Sequence, residues 1–249
     1  MTKLDDIRSR STWTQLIEGQ PQHLAIALLM TLGAVTLLRS DSDAPRLLGL
    51  TSAGWGMVSI ALALIHQIIV AIVFRLQLHR NMMTRLFGDR DMKVWGIIFM
   101  PLLVMRPLTV IMTGWADTAP VTSFHNTEIA LGIALLAAAI WAMHSVIKHF
   151  TIPRALGGDH FRDAFAEMPL VNKGAFRYTS NAMYGVVFLG LWGIALLFGS
   201  WNALIIALFQ HAYIWVHMYC TEAPDMARIY APNSTTPATP DPAPAPTKP

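Results

Sequence analysis

The residues of this chain that could do chemistry fall late in it. The stretch Ala155-Leu156-Gly157-Gly158-Asp159-His160-Phe161 sets a carboxylate beside an imidazole, a pairing suited to general acid–base work, although a plain glycine turn also accounts for it. A second polar stretch, Phe176 to Gly185, carries Arg177, Tyr178, Asn181 and Tyr184; a third, Tyr219 to Tyr230, carries Glu222. Earlier, Arg106 stands in Met105-Arg106-Pro107 among apolar residues, either paired to another helix or placed to contact an anion such as a lipid phosphate or a cofactor carboxylate. His66 and His144 sit in apolar stretches and read as packed residues. None of the 9 histidines has another three or four positions away, the spacing helix-borne metal ligands need. There is no Gly-x-Ser-x-Gly elbow and no phosphate-binding Walker loop. Metal and serine mechanisms are unsupported.

The elements that must position these groups are membrane helices. Charged residues make up 13% of the sequence and AVILMFWYC residues 54%, against roughly 25% charged in an average soluble chain. The apolar residues run in blocks near the ~20 residues that cross a hydrocarbon core. Six spans are expected: His23–Leu38, Gly54–Phe74, Val94–Trp115, Glu128–Ile147, Ala182–Phe198 and Trp201–Cys220. With so little between the last two, they must form a tight antiparallel hairpin. Arg39 and Arg46 alone fall on one side, Arg106 lies within a span, and every other lysine and arginine falls on the other side. That bias predicts both termini in the cytoplasm. The net charge of +3 is accounted for by this sidedness, so nucleic-acid binding is not expected. The acidic residues before the first span and the lack of a small-residue cleavage site argue against a cleaved signal peptide.

The division is therefore a cytoplasmic segment 1–22, four helices over 23–151, a connector plus hairpin over 152–230, and a Pro-rich tail 231–249 expected to be disordered. The fold class is all-α and polytopic. The hairpin returns Glu222 to the level of residue 182, which brings Tyr178, Asn181, Tyr184, Glu222 and Tyr230 to one membrane face. The alternative readings place Glu222 simply in water past the helix end and make Asn181 an N-cap.

These stretches resemble the C-terminal half of membrane phospholipid N-methyltransferases, which methylate phosphatidylethanolamine and are related to isoprenylcysteine carboxyl methyltransferases. Gly158-Asp159-His160-Phe161 resembles that family's connector, Asn181-Ala182-Met183-Tyr184 its helix entry, and Glu222-Ala223-Pro224 its closing Glu-Glu-Pro. Ala182 replaces the usual proline, Gly185 comes one position early, Ala223 replaces the second glutamate, and Gly132 stands where a Gly-x-Gly is usual. The likeness covers 152–230. It implies S-adenosylmethionine as co-substrate and a membrane lipid amine as acceptor. Under it, His160 or Asp159 is the base, with Tyr184 beside them in the catalytic group. Glu222, Tyr178, Asn181 and Gly158 are implied to hold the cofactor, and Arg177, Arg106 and Tyr219 the lipid. A prenyl-cysteine carboxylate or small thiol as acceptor, or a non-catalytic scaffold, are the alternatives. The Ala- and Pro-rich tail points to a bacterial inner membrane, with the endoplasmic reticulum as the alternative.

Overall fold

The computed structural model describes residues 1–40, 45–118, 121–122 and 124–231. The expected Pro-rich tail lies, from residue 232 on, outside the described residues. In chain order the helices are α1 Lys3–Arg10, α2 Trp13–Ile17, α3 Gln20–Leu37, α4 Ser52–Arg80, α5 Met82–Phe87 and α6 Asp91–Trp115, then α7 His125–Ser145, α8 Ile152–Ala155, α9 Asp163–Ala166, α10 Leu189–Leu197, α11 Trp201–His217 and α12 Ala223–Ile229. Single π-helical turns extend α7 (Val146–Phe150), precede α10 (Met183–Val187) and follow α11 (Met218–Glu222). The chain is an all-α polytopic membrane protein.

Among the described residues four stretches are long and apolar enough to cross a membrane: Ser52–Arg80, Met82–Trp115, His125–Phe150 and Trp201–Ile229. The other two expected spans form helices that fall short, for separate reasons. α3 opens with Gln20, Gln22 and His23, so its apolar part is only the remainder. The fifth, Met183–Leu197, is apolar but too short, even with its π turn included. Local chemistry sets the ends of the long helices. Thr51 caps α4, its hydroxyl accepting from Gly54 N at 3.2 Å. Asn81, in the left-handed region at φ 54°, ends that helix. Ser200 caps α11 by accepting from Ala203 N at 3.0 Å.

The hairpin turn uses Gly199 at φ 56°, and α10 and α11 pack against each other on either side of it. α7 lies so close to α10 that a Cβ on Gly193 would stand 2.7 Å from Leu136 Cγ and 2.8 Å from the Gly132 carbonyl. Small residues at a helix crossing let backbones approach where lipid supplies no hydrophobic drive for association. The central core joins Ala27 and Ala34 of α3, Ile60 and Ala63 of α4, Val110 of α6, Leu191 of α10 and Ile206 and Tyr213 of α11. A second cluster, with Val70, Phe74, Trp95, Leu156 and Phe161, docks the connector onto one end of α4 and α6. Trp95 donates its indole N–H to the Leu156 carbonyl at 2.8 Å, which fixes that docking. Large apolar side chains such as Leu28, Leu29, Leu32, Ile97 and Ile140 point outward, as a lipid-facing surface requires.

Candidate functional site

The two π turns that flank the hairpin create the site. At the entry, the Asn181 carbonyl accepts from both Tyr184 N (3.1 Å) and Gly185 N (2.8 Å), and the helix then widens through the π turn Met183–Val187. At the exit, five-residue hydrogen bonding runs through Met218–Glu222. Tyr184 donates its hydroxyl to Glu222 Oε1, and His217 Nε2 lies 3.5 Å from the same oxygen. Residues five apart on an α-helix point about 140° away from each other. A π turn stacks them instead, which is how His217 and Glu222 come to share one pocket. The Tyr184 ring meets Phe188 and Trp215 edge-on, at 6.5 and 6.3 Å between centroids. The Glu222 side chain is 17% exposed and His217 only 1%.

The polar seam continues into the bundle. His23 of α3 sits edge-on to His217 at 5.6 Å, and its Nε2 is 3.1 Å from the Tyr213 hydroxyl. Arg106, only 2% exposed, donates from Nε to Gln210 Oε1 at 2.8 Å. Gln210 in turn donates to Ser59 Oγ at 2.8 Å. The guanidinium lies 5.1 Å from the Phe188 ring, the ring that also touches Tyr184. Among the described residues no carboxylate pairs with Arg106. Both ring nitrogens of His66 and of His217 are buried without a hydrogen-bond partner. Buried polar atoms are normally satisfied, and those that are not call for an explanation.

Asp159 and His160 form a different cluster. His160 Nδ1 is 3.2 Å from Asp159 Oδ1 and its Nε2 is 3.3 Å from Asp225 Oδ2. Its ring stacks on Phe74 at 4.3 Å. Burial works against the imidazolium, but the bonds and charges of the two carboxylates prevail and push His160 up to about 10. Burial likewise opposes the Asp159 carboxylate, yet His160, and the Tyr230 hydroxyl donating to it, hold it below the usual range. An imidazolium clasped by two carboxylates already carries its proton, so its geometry is that of an anchor and not of a base. Arg75 NH1 completes the cluster at 2.8 Å from Asp225 Oδ1. Gly157 and Gly158 serve packing here. A Cβ on Gly157, at φ 79°, would stand 2.4 Å from the Phe74 ring, and one on Gly158 would stand 2.8 Å from both Phe165 and the Pro153 carbonyl. Gly158 therefore faces protein, not an open cradle.

Of the five residues that hairpin spacing groups together, Tyr184 and Glu222 touch and Asn181 begins the π turn beneath them. Tyr230 bonds Asp159 instead. Tyr178, 76% exposed, lies beside Trp141 at 6.0 Å. Tyr219, 67% exposed, stacks on Trp215. Arg177 is exposed at the same end. These three lie on the surface of the helix ends, outside the interior seam. Sequence reasoning did not pick out His217, His23, Tyr213, Gln210 or Arg75. The signal for His217 was a histidine five places before Glu222, a spacing that α-helical periodicity does not put on one face.

Residues 127–233 match the family model described as phospholipid methyltransferase, so the match starts one helix before the connector and takes in α7. The chain is 25% identical over 147 residues to the phosphatidylethanolamine N-methyltransferase of Lachancea thermotolerans, covering 56% of this chain and 17% of that protein. It is 29% identical over 111 residues to the protein of the same name from Scheffersomyces stipitis (43% of this chain, 13% of that one). With the Malassezia globosa protein of that name it shares 27% over 142 residues (55% and 14%). The chain thus spans about a sixth of the length of these curated relatives. They are fungal proteins and lend nothing to a bacterial inner membrane. No solved structure matches. Residues 127–233, which include the Tyr184–Glu222 pair, are thus similar to the phospholipid methyltransferase family.

Proposed function

We propose that this chain is an S-adenosylmethionine-dependent methyltransferase whose acceptor is the amine headgroup of a membrane phospholipid such as phosphatidylethanolamine. The observation that carries the reading is the Tyr184–Glu222–His217 cluster, built by the part of the chain that matches the family model and lying at the end of the bundle where the basic loops gather. The names of the curated relatives support the same acceptor. The residues fit such a donor. Glu222 offers a half-buried carboxylate to a cationic group, and Arg106 offers a buried guanidinium to an anionic one. The partnerless nitrogens of His66 gain partners when a polar molecule lies between the helices.

S-adenosylmethionine supplies a methyl group on a sulfonium, and the protein has to place a neutral amine in line with it. Glu222 holds a cation by a charge-assisted hydrogen bond, with Tyr184 fixing the carboxylate that does so. The rings of Tyr184, Phe188 and Trp215 line the approach with faces and edges that suit a methylated cation, each worth ~0.5–2 kcal/mol. Arg106 takes the donor's carboxylate or the lipid phosphate, and Arg177, Tyr178 and Tyr219 receive the headgroup at the bilayer surface. Asn181 shapes the turn that presents Tyr184, while Asp159, His160 and Gly158 set the connector on which the exit helix rests. Alignment and exclusion of water supply most of the acceleration in a displacement of this kind. The basic end of the bundle, with the N-terminal segment and the connector, faces the cytosol.

Purified protein incubated with methyl-labelled S-adenosylmethionine and a panel of lipids tests the reading. Label in ethanolamine phospholipid is expected. Label only in a prenyl-cysteine carboxylate or a thiol would move the acceptor, and no transfer to any of them would leave a non-catalytic scaffold.

A further inference from the structure

An amine can attack only after losing a proton, and both ring nitrogens of His160 in the connector are taken up by Asp159 and Asp225. We propose that His217 is the base that deprotonates the lipid amine, an inference that rests on methyl transfer at the Tyr184–Glu222 pair. His217 ends α11, is 1% exposed, and neither ring nitrogen has a hydrogen-bond partner within the protein. Its Nε2 stands 3.5 Å from Glu222 Oε1, close enough for the carboxylate to stabilise an imidazolium as it forms. The groups facing it are His23 from α3, His66 from α4 and Glu222 from its own exit turn, with Tyr213 bonded to His23 and Tyr184 to Glu222. Glu222 is the one carboxylate among them. Among the described residues no second carboxylate pairs with the ring as two pair with His160.

The step balances as follows. The ammonium N–H bond breaks, its electron pair stays on nitrogen, and the proton goes to His217. The nitrogen pair forms the new C–N bond while the sulfonium C–S bond breaks and leaves its pair on sulfur as a neutral thioether. The methylated product keeps its positive charge, and His217 returns its proton to water.

The test compares wild type with His217→Gln and His217→Asn, scoring whichever variant keeps the wild-type thermal transition. Binding of S-adenosylmethionine and kcat for phosphatidylethanolamine in detergent micelles are measured from pH 6 to 10. Donor affinity is expected within about twofold of wild type, with kcat at pH 7 down about 100-fold. The deficit should shrink as pH rises, because the free-amine fraction grows about tenfold per pH unit until the amine's own pKa. A variant kcat within a few-fold of wild type at pH 7, a deficit constant across the pH range, or lost donor binding would each overturn the assignment. Wild type that transfers no methyl to any amine lipid would instead sink the functional reading beneath it.

Discussion

At the scale of single residues, protonation in this protein is decided by partners distant in sequence. Asp159 and His160 look like an acid–base pair when read side by side. The second carboxylate, Asp225, comes 65 positions later and converts the histidine to a held cation. The consequence for stability has a definite sign. The folded His160 is raised from its ordinary 6.5 to about 10, so its contribution is complete below pH 6.5 and is lost as pH climbs through about 10. The thermal midpoint should therefore fall between pH 6.5 and 10, and His160→Gln should flatten that fall. Equal pH profiles for the two proteins would contradict the charge assignment. Tyr184 and Glu222 were legible from the length of the hairpin. The neighbouring His217 was not, because a π turn leaves no mark in an apolar pattern.

At the scale of elements, the helices were legible wherever apolar runs ended at a cap, as at Thr51 and Ser200. Two features were hidden: the break before α10, and the closeness of α7 to α10 that makes Gly132 and Gly193 part of one contact. A methyl group at Gly193 must displace Leu136 and the Gly132 backbone. Gly193→Ala is predicted to lower stability by about 1–3 kcal/mol in a denaturation series in detergent. Gly33→Ala, on α3 with nothing within 4 Å of the new atom, is the control and should be neutral or slightly stabilising. If both substitutions cost the same, the tight crossing is not what the glycines serve.

At the scale of the whole molecule, the first 126 residues lie outside the family match and gave no functional signal in sequence beyond Arg106. In the fold they supply Arg106 and His23 to the interior seam. They also supply Arg75, whose guanidinium ties the Gln15 and Glu18 carbonyls to the Cys220 carbonyl beside Glu222, while pairing with Asp225. These bonds join segments far apart in the chain, and so no local pattern announces them. Removing one partner of a buried ion pair costs up to about 3–5 kcal/mol, and less where, as for Asp225, a second cationic partner in His160 remains. Arg75→Leu should show that loss in thermal unfolding and should expose residues 1–19 to limited proteolysis. Unchanged stability and protection would mean that the N-terminal segment docks by other contacts.

The claim on which these levels converge is that the hairpin gathers a donor site around Glu222. Equilibrium binding of S-adenosylmethionine to the wild type and to Glu222→Ala measures it directly. The account predicts saturable binding to the wild type that weakens at least tenfold in the variant, while both proteins keep the same thermal transition. Equal affinity in the two folded proteins would contradict it.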